Sequence, residues 1–96
     1  MSIWVTLEMG VKAGAYESLS VFLNENLPAV RSFEGAMSVS VLFDDQTNRL
    51  LLLEEWKSKP HHQAYIAAIS TNGVMEQLLA FMTGAPEVKY FQRVMI

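Results

Sequence analysis

The chain contains no cysteine. That excludes disulfides, thiolate nucleophiles, iron–sulfur clusters and thiolate zinc sites. Charge is also sparse: seven Lys plus Arg stand singly against ten Asp plus Glu, for a net charge of −3. With neither a basic stripe nor an acidic tail, nucleic acid and an anionic membrane are not expected partners. Apolar runs such as Leu50–Leu53 fall far short of the roughly 20 residues that a membrane span needs. The opening MSIWVTLEMG offers no basic start, no long apolar stretch and no small-residue cleavage site. No signal peptide is read there, and a cytoplasmic location is expected. Internal repeats and low-complexity segments are missing as well.

What is present is mostly apolar. Of the 96 residues, 51% are hydrophobic, with five Phe, three Tyr, two Trp and six Met. The length suits one domain spanning residues 1–96. A chain of this size folding alone hides only about two-thirds of its unfolded surface. So much apolar surface predicts a homodimer whose interface buries the remainder.

Ile3, Val5, Leu7 and Met9 alternate with Trp4, Thr6 and Glu8, the period of a first strand. From Ala15 the apolar residues Tyr16, Leu19, Phe22, Leu23, Leu27 and Val30 recur at helical spacing. Pro28 removes a donor and crowds the carbonyl of Asn24, predicting a kink or an early end. Gly35 reads as the stop of that segment. Met37, Val39, Val41 and Phe43 mark a second strand, and Asp44 to Asn48 a hairpin turn. Leu50 to Trp56 is a third strand, apolar on both faces until Glu54 and hence central in a sheet. Ser58 can cap a helix from about Lys59 to Ser70, with Pro60 in its first turn and Tyr65, Ala68 and Ile69 turned inward. A further helical piece covers Val74 to Met82, and Val88 to Met95 alternates as a last strand.

The order β-α-β-β-α-(α)-β predicts an α+β, ferredoxin-like split βαβ: a four-stranded antiparallel sheet with helices on one face. Leu51 and Leu53 would leave its other face apolar too. Two sheets packed face to face in a dimer would cover it.

Three passages, VRSFEGAMSVSV, LLLLEEWKSKPHHQAY and FMTGAPEVKYFQRV, resemble the antibiotic biosynthesis monooxygenase domain of the dimeric α/β-barrel superfamily. The resemblance runs over essentially the whole chain. It implies a dimeric α/β barrel with an apolar pocket in each subunit and no cofactor. The implied activity is oxidation of an aromatic, hydroquinone-like substrate by molecular oxygen. Relatives of that kind also include haem-degrading enzymes and small dimers without known turnover. Leu7 and Tyr65 depart from the residues that the haem degraders carry.

Candidate site residues follow from chemistry and resemblance together. Trp56 matches the family's Trp at the end of the third strand. Tyr65 takes a position where many relatives carry His, and its phenol can hydrogen-bond a substrate oxygen. His62, at a helix N-terminus that disfavours the imidazolium, is the candidate base. With Trp56 and Tyr65 it makes up the expected catalytic set. Glu54, His61, Phe22, Leu52 and Phe81 are the expected substrate-binding residues. An ion pair with Arg31, Arg49 or Arg93 would be the ordinary role for Glu54. His61 and His62 project about 100° apart around the helix, so they cannot share a metal ion as His at i and i+4 can. Glu54 and Glu55 fall on opposite faces of their strand, which rules out a coupled carboxylate pair.

Overall fold

The computed structural model describes residues 1–96. Its elements are β1 (Ile3–Gly10), α1 (Tyr16–Arg31), β2 (Ala36–Asp44), β3 (Arg49–Trp56), α2 (Lys59–Thr71), α3 (Val74–Leu79) and β4 (Glu87–Phe91). The strands form one antiparallel sheet in the order β2-β3-β1-β4. This is the expected split βαβ arrangement, with β1 and β3 in the middle.

Parity along each strand sorts the side chains. Val5, Leu7 and Met9 of β1 and Leu50, Leu52, Glu54 and Trp56 of β3 point under the helices and are buried. Leu51, Leu53 and Glu55 take the opposite face and stay partly exposed. The core lies between the sheet and α1, where Leu19, Leu23 and Val30 are buried. The remaining sheet face has no helix over it.

Local chemistry explains most boundaries and corrects several expectations. Helix α1 runs through Pro28 to Arg31. Pro28 and Asn24 are both exposed, so water can satisfy the carbonyl that the missing N–H abandons. Arg31 in the last turn suits the helix dipole and donates to the Val39 carbonyl at 3.0 Å, tying α1 to β2. A bulge between Ala36 and Ser38 sets two residues of β2 against one of β3. Met37 consequently leaves the core face and is 53% exposed. Helix α3 stops at Leu79, before the expected Met82, because Met82 instead bridges to Val11. Strand β4 ends at Phe91, short of Met95.

Ser58 caps α2 as expected: its hydroxyl accepts from the His61 backbone N–H at 3.3 Å, with Pro60 in the first turn. Gly35 has φ +91° and lies against the His61 ring, where a Cβ would collide. Its role is thus a left-handed turn with a close approach, three residues beyond the Ser32 cap of α1.

Candidate active site

Two adjoining spaces lie between the sheet and the helices. The inner one, ≈ 40 Å³ in volume, is enclosed by all three helices and β1 to β3. Thirteen of its 15 lining residues are hydrophobic, so Asn26 and Glu54 stand out. The Asn26 amide already donates to the Phe22 carbonyl at 2.8 Å. Glu54 is therefore the single acid facing an apolar chamber, with the Tyr65 ring also in the wall. The outer space, ≈ 220 Å³, is a cleft lined by His62, Gln63, Pro86, Val88 and Tyr90. Leu7, Ile66 and Met75 belong to both linings and form the partition between them.

The polar groups of the site follow from the register of the sheet. Glu54 of β3 pairs with Val5 of β1, and Val5 pairs with Tyr90 of β4. These three stand in a row on the helix side. His62, buried at 1% exposure, reaches both ends of that row from α2. Its Nδ1 is 2.8 Å from the Tyr90 hydroxyl. Its Nε2 is 3.8 Å from Glu54 Oε1 and has no hydrogen-bond partner. Trp56, two residues from Glu54 on the same face, donates its indole N–H to Oε1 at 2.7 Å. Glu54 forms no ion pair with an arginine. Arg49 pairs with Glu8 at 3.2 Å on the far side of the sheet, and Arg31 serves Val39.

Burial sets the protonation states. Removing the Glu54 carboxylate from water raises its pKa, and the Trp56 hydrogen bond partly offsets the rise. Burial pushes the His62 imidazole from 6.5 down to about 4, so it is neutral at pH 7. The Tyr65 phenol is pushed up to about 12, by burial first and the Glu54 charge second. Tyr90 shifts upward for the same two reasons. At neutral pH the site thus holds a neutral imidazole, two un-ionised phenols and one carboxyl group poised above its ordinary range.

The expected site residues are only partly brought together. Phe22, Leu52, Glu54 and Tyr65 line the inner chamber. His62 lines the outer cleft and stands behind Glu54. Trp56, fully buried, backs the chamber, packing against Tyr65 and His62 at centroid distances of 5.3 and 5.5 Å. Phe81 supports Phe22 from outside, 5.5 Å between ring centres. His61 is turned away: its Nδ1 sits 2.6 Å from the Ser58 hydroxyl and its ring covers Gly35. The two histidines thus have separate partners. Tyr90 was not singled out from the sequence. The alternation of Val88 and Tyr90 in the last strand is the signal that could have found it.

The sequence matches no family model and no curated protein. The fold defines the class: an α+β, ferredoxin-like domain of the kind found in proteins described as antibiotic biosynthesis monooxygenases. A conserved protein from Methanosarcina mazei superimposes with a TM-score of 0.86 at 17% identity, over 98% of this chain and 94% of that one. A Bordetella bronchiseptica protein, provisionally named an antibiotic biosynthesis monooxygenase, gives 0.86 at 14% identity over 98% of both chains. A Mycobacterium tuberculosis protein gives 0.83 at 14% identity over 100% and 98%. At such identities the likeness is one of fold.

Proposed function

We propose that this chain is a cofactor-independent monooxygenase that oxidises a hydroquinone-like aromatic with molecular oxygen, with Glu54 as the base. The observation that carries it is the single buried carboxyl group facing an otherwise apolar chamber. A base serves best when its pKa approaches the working pH, and burial moves Glu54 that way. Taking a proton from a substrate hydroxyl or activated carbon leaves an electron-rich anion that can react with oxygen. The apolar walls exclude water, and Tyr65 can hydrogen-bond a substrate oxygen. For a phenol oxidised to a quinone, one oxygen atom enters the ring carbon and the other leaves as water.

In the same proposal a second copy of the chain covers the open sheet face. Trp4, Leu51 and Leu53 are only partly buried there, Leu42 and Phe91 are 48% and 50% exposed, and no element of the chain packs on them. Burial of such a face is the ordinary driving force for a twofold pair.

The inner chamber is far smaller than the roughly 300 Å³ of an ordinary ligand pocket. A ring system must therefore displace Met75, the flexible member of the partition, and extend into the cleft. That small volume also favours a second reading, a dimer that binds a small apolar molecule without turnover. Oxygen uptake with quinol or anthrone substrates separates the two. Oxygenase activity predicts uptake by the purified protein and a loss of about 10²–10⁴-fold in Glu54→Gln, which keeps the Trp56 contact. Uptake undiminished in Glu54→Gln overturns the assignment of the base. Thermal stabilisation by the same aromatics without any uptake favours the binder.

A further inference from the structure

We propose that Tyr90 is a positioning residue for Glu54 that acts through His62: its hydroxyl donates to Nδ1, fixing the ring proton on Nε2, where it faces the carboxylate. This rests on the reading of Glu54 as the base. Three observations carry it. Tyr90, Val5 and Glu54 are consecutive cross-strand neighbours, and His62 joins the two ends of that row, 2.8 Å from the hydroxyl and 3.8 Å from Oε1. Oε1 accepts from Trp56 and so presents lone pairs to its surroundings. A bare Nε2 opposite it would set lone pair against lone pair, whereas N–H is complementary. Finally, Nε2 is wholly buried and has no partner. Closing its gap to Oε1 by about 0.8 Å makes a hydrogen bond.

A neutral imidazole carries one proton, so the partner at one nitrogen decides what the other presents. His62 is neutral at pH 7. Lys59 Nζ lies 4.7 Å from the centre of the Tyr90 ring, while burial and the Glu54 charge hold the phenol un-ionised, so it keeps the proton it donates. The other titratable side chain packed against the group is Tyr65. On this side of the sheet β1 contributes only Ile3, Val5, Leu7 and Met9, and the chamber walls from α1 and α3 carry no charge. Tyr90 is half-buried at the cleft, so its own hydroxyl remains within reach of water.

Without the phenol hydroxyl the proton is free to move to Nδ1. Nε2 then faces Oε1 as a lone pair, and the carboxylate becomes harder to keep ionised. In Tyr90→Phe, Glu54 should titrate about one pH unit higher. The acid limb of the oxidation rate should move with it, a fall of about tenfold on that limb, while the rate at high pH is retained. Two NMR measurements read the device without turnover. Imidazole ¹⁵N shifts of the wild-type protein at pH 7 should show Nε2 protonated and Nδ1 bare. Side-chain ¹³C shifts of Glu54 should follow its titration in wild type and Tyr90→Phe. His62→Gln, whose amide N–H can replace the Nε2 donor, should leave Glu54 titrating as in the wild type, with Tyr90 present or changed to Phe. A proton on Nδ1 in the wild type overturns the proposal even where Tyr90→Phe fails to fold. So does a Glu54 titration that Tyr90→Phe leaves in place. If no oxygen uptake occurs at any pH, the monooxygenase reading falls and the NMR result still decides the role of Tyr90.

Discussion

Mild acid, between about pH 7.5 and 5, should destabilise this protein through the buried His62. His62 is 1% exposed and its imidazole is pushed down to about 4, against 6.5 when free. A depressed folded pKa means that the unfolded chain takes up the proton first. The contribution of neutral His62 is therefore complete above pH 6.5 and is lost as the pH falls toward 4. At pH 5 the unfolded imidazole is protonated while the folded one is still mostly neutral. The resulting loss is about 2 kcal/mol, at roughly 1.4 kcal/mol per pH unit. Glu54 acts in the opposite sense: its raised pKa lets the folded state take up a proton before the unfolded one. A comparison with His62→Gln cancels that contribution to first order, since both proteins retain Glu54. Urea unfolding at pH 7.5 and pH 5 supplies the measurement. Wild type should lose about 2 kcal/mol more than His62→Gln between the two pH values, which is about 1 M in the midpoint for a small domain. Equal losses in both proteins would refute the premise that His62 is buried and neutral.

Other perturbations test separate parts of the structure. Gly35→Ala combines a left-handed φ of +91° with a collision against the His61 ring, and should cost about 2–4 kcal/mol. In a thermal melt that is a fall of at least about 10 °C, and an unchanged midpoint would contradict the close packing. Met75→Ala removes the flexible side chain shared by the chamber and the cleft. It should let two-ring aromatics bind more tightly than they bind wild type, as read by calorimetric titration. Leu53→Asp places a charge in the middle of the open sheet face. If that face joins two copies, gel filtration should change from the mass of two 10.8 kDa chains to that of one, whereas a wild-type monomer would refute the dimer.

Strand parity made the architecture legible in the sequence. Alternation in β1, alternation in β2 from Val39 onward, the doubly apolar β3 and the Ser58 cap of α2 each have a local cause, and the fold retains them. Glu54 and Glu55 separate onto opposite faces for the same reason, so one is buried and the other remains partly exposed. At two of the places where expectations failed, long-range pairing had overruled the local pattern. Met82 gave up its helix for a bridge to Val11. Met37 left the core because a bulge shifted the register of β2 against β3.

The site was less legible because its chemistry depends on which groups meet. Adjacent residues on a helix differ in direction by about 100°, so the sequence could establish that His61 and His62 diverge. It could not tell which one would go inward. Packing decided that His62 lies over Val5 between Glu54 and Tyr90, while His61 closes over Gly35. In the same way the carboxyl group of Glu54 could have paired with an arginine, and only the sheet places the Trp56 N–H at 2.7 Å. Sequence alone determined a split βαβ domain with an acid and an aromatic ending its central strand. The tertiary structure determined that the acid is buried, raised in pKa and backed by a neutral imidazole, because burial and hydrogen-bond partners belong to the fold and not to the local pattern.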